Sequence, residues 1–273
     1  MNNNPMITPT EHTSQPSVST RLERALNPAL MMNYQREYLK LTTTLTYGFL
    51  FTLPLVLIYE LGTWILHTGG ISNIQNGADV MVKRVLEMVG LSGTLAVSAL
   101  LLLIGGIIYL YERRHRYPII PRYFGFMFGE SAVYAVGIGL LVQTLLANLF
   151  TLNIPTLSAS PTGPGFFEAI VLSFGAGYYE EFVFRLLLVT GLYGVLQWAK
   201  NVGDKTRYAI AAVVGALIFS WIHYIGPLGD QFQLWSFTFR FLMGLAFNAL
   251  FLLRGFGVAA MTHALYDVWV MAL

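Results

Sequence analysis

The run from Leu91 to Tyr111 contains no charged residue, and nothing else in the chain narrows its possible folds so far. A bilayer core is crossed by about 20 apolar residues in a helix. Backbone groups inside hydrocarbon must be satisfied internally, so a spanning segment is either a helix or a strand of a closed barrel. Unalternated apolar runs of this length read as helices. Blocks of the same kind recur near 41–66, 123–151, 166–199, 208–225, 234–253 and 256–273. The expected fold is all-α, a polytopic transmembrane bundle of seven or eight spans. The eighth arises because the fourth block, 166–199, exceeds one simple crossing and carries Gly175, Ala176 and Gly177 in its middle, where a helix kinks or breaks.

Hydrophobic residues make up 55% of the chain and charged ones only 11%, against about a quarter charged in a soluble domain. The formal net charge of +2 gives no electrostatic footprint for nucleic acid. The absence of cysteine excludes disulfides, cysteine zinc sites and a thiol nucleophile. The sequence divides into a polar tail, disordered or lying on the surface (1–35), N-terminal membrane spans with an interfacial helix (36–122), and a membrane core (123–273). Arg21, Arg24, Arg36 and Lys40 precede the first span. Arg113, Arg114 and Arg116 follow the second, and Lys200, Lys205 and Arg207 follow the fourth block. This alternation fits a cytoplasmic N-terminus, with Lys83 and Arg84 on the opposing side. Residues 79–90 form an amphipathic helix, with Val80, Val82, Val85, Leu86 and Val89 largely on one face. It reads first as a connector resting on the headgroups and second as a gate for lateral access, and no chemistry is assigned to it.

Ionisable residues inside apolar helices are functional candidates by default, because each carries an insertion cost of several kcal/mol. Three groups stand out. In Tyr179-Glu180-Glu181-Phe182-Val183-Phe184-Arg185, Glu181 and Arg185 are spaced to share one helical face and pair. Glu180 points about 100° away and has no local cation, which suits a general base. Phe219-Ser220-Trp221-Ile222-His223 ends an apolar run on a histidine. In His263-Ala264-Leu265-Tyr266-Asp267 an imidazole and a carboxylate share a face, so Asp267 is placed to orient His263. Together these suit a glutamate-activated water. Glu180 takes and returns the proton, His223 holds the water and His263 faces the developing oxyanion. Glu181, Arg185 and Asp267 support them. Two further readings of the same residues stay open: a buried polar network joining three helices, and a zinc shell of Glu180, His223 and His263 with an open position for water.

Glu-Glu-x-x-x-Arg at 180–185, Phe-x-x-x-His at 219–223 and His-x-x-x-Asp at 263–267, in that order on separate apolar segments, resemble the CAAX protease and bacteriocin-processing family, also called the abortive-infection family. The resemblance covers about residues 120–273. It implies an intramembrane endopeptidase similar to the type II CAAX prenyl endopeptidases, in the cell membrane of a bacterium or archaeon. The substrate it implies is a membrane-associated protein or peptide, prenylated or not, reached from the bilayer. It also implies a mechanism that requires no cofactor or, alternatively, uses zinc. The family's first glutamate falls on Glu180, its supporting glutamate on Glu181, and its histidines on His223 and His263. The chain departs at Asp267, where the CAAX proteases carry asparagine. An ionised aspartate cannot donate to an oxyanion, so Asp267 is either protonated or acts on His263 or a metal.

Gly90-Leu91-Ser92-Gly93 is similar to the Gly-x-Ser-Gly of rhomboid proteases, but it sits at a helix entrance where Ser92 reads as a cap. Tyr266-Asp267 lies too near the end for the aspartyl intramembrane proteases, which need a second aspartate motif downstream. The alternatives outside proteolysis are a transporter, with Glu60 and Glu130 as relay groups, and a scaffold or immunity protein that keeps the Glu/His/Arg network for packing.

Overall fold

The apolar blocks fold as helices in the computed structural model, which describes residues 28–70, 75–91, 94–112, 114, 115, 117–150, 165–226 and 229–272. Among the described residues there is no strand. Two compact units are distinguished, Met1–Lys40 and Leu41–Leu273. In the first, helix α1 (Pro28–Thr42) begins on a proline, which suits the first helical position because its missing N–H has no intrahelical partner there. The rest of the expected tail, with Arg21 and Arg24, lies outside the described residues. So do Ser92, Gly93, Arg113 and Arg116.

The second unit contains α2 (Leu45–Thr68), α3 (Gly77–Met88), α4 (Thr94–Glu112), α5 (Pro121–Phe150), α6 (Phe166–Gly175), a π-helical segment (Ala176–Val189), α7 (Thr190–Leu196), α8 (Asp204–Ile222) and α9 (Leu234–Ala272). Four of these, α2, α5, α8 and α9, are long and apolar enough to cross a membrane. Their outward faces carry large apolar side chains such as Leu61, Val133, Leu149 and Leu253, as lipid-facing surfaces do.

Helix α9 is the hub, packing against α5, the π segment, α8, α6 and α2. Its central stretch is a run of small buried residues, including Val258, Ala259, Ala260, Thr262 and Ala264. Small side chains let membrane helices approach closely, which is the main source of packing energy where lipid is as apolar as the helix. Gly255, at φ 78° and ψ 178°, interrupts α9 between the two apolar blocks 234–253 and 256–273. That conformation strains any residue bearing a Cβ. Just before it, Arg254 donates to the Glu130 carboxylate of α5, 2.7 Å from Nη2 to Oε2.

The fourth block differs from its expectation. No break occurs at Gly175–Gly177: Gly175 and Ala176 keep right-handed helical dihedrals, and the chain passes from α6 into the wider π turns without interruption. The two glycines are contact points instead. A Cβ on Gly175 would stand 2.3 Å from the Tyr59 ring, and one on Gly177 would stand 2.6 Å from the Ala264 Cβ and 2.7 Å from the Ala260 carbonyl oxygen. The glycines therefore set how closely this block approaches α2 and α9. Gly177→Ala should lower stability by about 1–3 kcal/mol through overpacking against backbone. Gly191→Ala, where an added Cβ meets nothing within 4 Å, should leave it unchanged or slightly raised. Thermal unfolding of both variants in detergent checks this.

Candidate active site

Glu180 and Glu181 lie in the π segment, a helix form that is rare and frequent at functional sites. Being adjacent, they face different surroundings. Glu181 is fully buried. Its Oε1 lies 3.1 Å from Arg185 Nη1 and 2.8 Å from His263 Nδ1. The Arg185 guanidinium, also fully buried, lies over the Phe219 ring at 4.4 Å and the Phe247 ring at 5.4 Å, so aromatic faces supply most of its remaining partners. The expected Glu181–Arg185 pair is present, and the structure adds His263 to it. An ionised carboxylate only accepts, so His263 Nδ1 carries its proton toward Glu181. This fixes the ring, which also stacks on Phe247 at 4.7 Å, and turns Nε2 to the other side.

That side holds the remaining carboxylates. His263 Nε2 is 3.9 Å from Glu180 Oε2 and 3.5 Å from Asp267 Oδ2. The Glu180 contact is too long for a direct hydrogen bond, and a gap of that length between two polar atoms is one that a single water can bridge. Asp267 stands against the histidine. His223 follows the last turn of α8, where its Nδ1 donates to the Phe219 carbonyl at 2.7 Å, leaving Nε2 bare in the neutral ring. It packs edge-on against Phe219 at 5.0 Å, the same ring that covers Arg185. The π segment and α9 thus bring Glu180, Glu181, Arg185, His263 and Asp267 together, with His223 joined through Phe219.

Sequence reasoning missed one residue of this cluster. Asn76, the N-cap of α3, donates from Nδ2 to Glu180 Oε1 at 2.8 Å. Helix α3 covers most of the segment 79–90, where an amphipathic helix is expected, and it turns a charge inward. Asp79 is fully buried, accepts from Tyr59 Oη at 2.8 Å and pairs with Lys83 at 2.9 Å. Burial pushes the Asp79 carboxyl above the usual carboxylate range, against the pull of Lys83. Glu60 accepts from Tyr179 Oη at 2.6 Å and lies 3.4 Å from Lys83, so it belongs to this neighbouring network. Met81, Val85 and Met88 are exposed on the same helix, as is Val89 just past its end.

Among the described residues, no group of three His, Cys, Asp or Glu side chains is arranged to hold a metal ion.

The fold and the cluster define a helical membrane protein with a glutamate–histidine site enclosed by its helices. The family model described as type II CAAX prenyl endopeptidase Rce1-like matches residues 162–269, a stretch that contains all three motifs. The resemblance read from those motifs is therefore borne out, and the match supports a CAAX-type membrane protease. With four helices suited to crossing a bilayer, it points to an integral membrane protein. No curated protein and no solved structure matches the chain.

Removing one partner of a buried ion pair leaves an uncompensated charge. Arg185→Leu should therefore destabilise the fold by about 3 kcal/mol or more, read as a lower unfolding midpoint in detergent, while Arg207→Leu, whose partner Asp204 is largely exposed, should shift it little.

Proposed function

We propose that the chain is an intramembrane endopeptidase that hydrolyses a peptide bond of a membrane-associated protein or peptide with a water activated by Glu180. The observation that carries this reading is the opposition of Glu180 Oε2 and His263 Nε2 across 3.9 Å, with the far nitrogen of the same histidine fixed by Glu181. Glu180 has no arginine or lysine in contact among the described residues, which leaves its carboxylate free to take a proton. Glu181 is already engaged by Arg185 and His263, which suits it to support.

A water between Glu180 and His263 gives its proton to Glu180 as its oxygen attacks the scissile carbonyl carbon. The carbonyl electrons move onto oxygen, and a doubly protonated His263, held at Nδ1 by Glu181, donates Nε2–H to that oxyanion. Glu180 then returns the proton to the amide nitrogen as the C–N bond breaks. His223, with Nδ1 committed to Phe219, offers Nε2 to the water. Asp267, 3.5 Å from His263 Nε2, acts on His263 in this scheme. No step requires a metal; the chelator arm below tests zinc bound through Glu180, His223 and His263.

The membrane setting follows from the helices. The apolar blocks are read as seven or eight crossings with a cytoplasmic N-terminus, and the motif resemblance suits the cell membrane of a bacterium or archaeon. An apolar cavity of about 300 Å³, lined in part by Phe49, Ile108, Tyr178, Phe182, Phe251 and Phe256, shares the π segment with the glutamates. It suits a hydrocarbon chain better than a polar group, in keeping with a lipid-linked or membrane-embedded substrate.

The test is cleavage of a fluorogenic CAAX peptide, with and without a prenyl group, and of a transmembrane peptide, by purified protein in lipid nanodiscs. Glu180→Gln should lower kcat by about 10²–10⁴-fold, and wild-type activity should survive a chelator. Equal cleavage by Glu180→Gln overturns the glutamate mechanism, and loss with chelator that zinc restores reassigns Glu180, His223 and His263 as metal ligands.

A further inference from the structure

We infer that Asn76 is a positioning residue for Glu180, and that through it the interfacial helix α3 is part of the active site. The inference rests on Glu180 being the base. Asn76 lies in the segment between α2 and α4, outside the stretch that matches the protease family.

The amide of Asn76 is used at both ends. Its Oδ1 accepts from the backbone N–H of Ala78 at 2.8 Å and of Asp79 at 3.4 Å, which caps α3. This orientation leaves Nδ2 to donate to Glu180 Oε1 at 2.8 Å. Only a side chain with both an acceptor and a donor does this. Aspartate keeps the cap and loses the donor; serine also keeps the cap but has no amide to reach Glu180. Asn76 is also held independently of Glu180. Its backbone N–H donates to Tyr59 Oη at 3.1 Å, and Tyr59 Oη donates to the buried Asp79 carboxylate of the same helix.

The consequence for chemistry is specific. A carboxylate on a helix rotates about its terminal bond unless one oxygen is fixed. Asn76 fixes Oε1, and Oε2 is then the oxygen that faces His263. A neutral amide does this without neutralising the base, as an arginine would. Displacement of α3 withdraws Asn76 and frees the carboxylate.

The experiment compares wild type, Asn76→Ser, Asn76→Asp and Glu180→Gln in nanodiscs with the CAAX and transmembrane peptides used above, with thermal unfolding as a control. Both Asn76 variants keep the cap; Asn76→Ser should unfold near the wild-type temperature, and Asn76→Asp, which sets a second carboxylate against Glu180, somewhat below it. Each should lower kcat about 10–100-fold with KM changed less than about 3-fold, as expected when a reacting group is misplaced and not when binding is lost. In the Glu180→Gln background, Asn76→Ser should cause no further loss. Wild-type kcat in Asn76→Asp or Asn76→Ser, with Glu180→Gln inactive, overturns this inference alone. Wild-type kcat in Glu180→Gln overturns the proposed function and this inference with it.

Discussion

The fully buried contact of Glu181 with Arg185 and His263 holds the rest of the structure in place. A charge in a membrane interior is tolerated when it is paired and enclosed by protein, and here one carboxylate oxygen meets both a guanidinium at 3.1 Å and an imidazole at 2.8 Å. The first contact lies within the π segment; the second crosses to α9. A single acceptor atom thus joins the two elements that carry the site, and it also decides which nitrogen of His263 faces Glu180. Phe219 and Phe247 close over the guanidinium and bring α8 into the same arrangement.

Close helix approach is the condition for that contact. Gly177 lets the π segment reach the backbone of α9 at Ala260, and Gly175 admits the Tyr59 ring of α2. Tyr59 in turn bonds both Asp79 and the backbone of Asn76, so the packing that brings α2 against the fourth block also seats α3 over Glu180. Packing and chemistry are coupled through a few small residues, and the contacts that cross between elements, such as His263 Nδ1 to Glu181 and Asn76 Nδ2 to Glu180, form only when the helices are this close.

Much of this was legible in the sequence, for reasons that can be traced to particular residues. The spacing of Glu181 and Arg185 fixes their contact on any helix, whether of α or π pitch, and the charge-free runs fix the helical class. The pairing of His263 with Glu181 was not legible, because each residue had a nearer partner by spacing, Asp267 and Arg185, and only the tertiary fold ranks the choices. A glycine at a close contact and one at a kink or break look the same in sequence, so the packing role of Gly175 and Gly177 shows only in the fold. Asn76 was missed because it precedes a polar, amphipathic helix 104 positions from Glu180. Its capping role was readable as an asparagine before α3, but the second half of its amide acts only across the fold.

The most direct measurement of the central claim is an experimental structure of the protein bound to a peptide ketone whose hydrate carries two oxygens on the former scissile carbon. The account predicts one oxygen on Glu180 and the other on His263 Nε2, each at about 2.6–3.2 Å, with Asn76 still holding the far oxygen of Glu180. A hydrate bound away from Glu180, or one whose oxygens are both held by other groups, would contradict it.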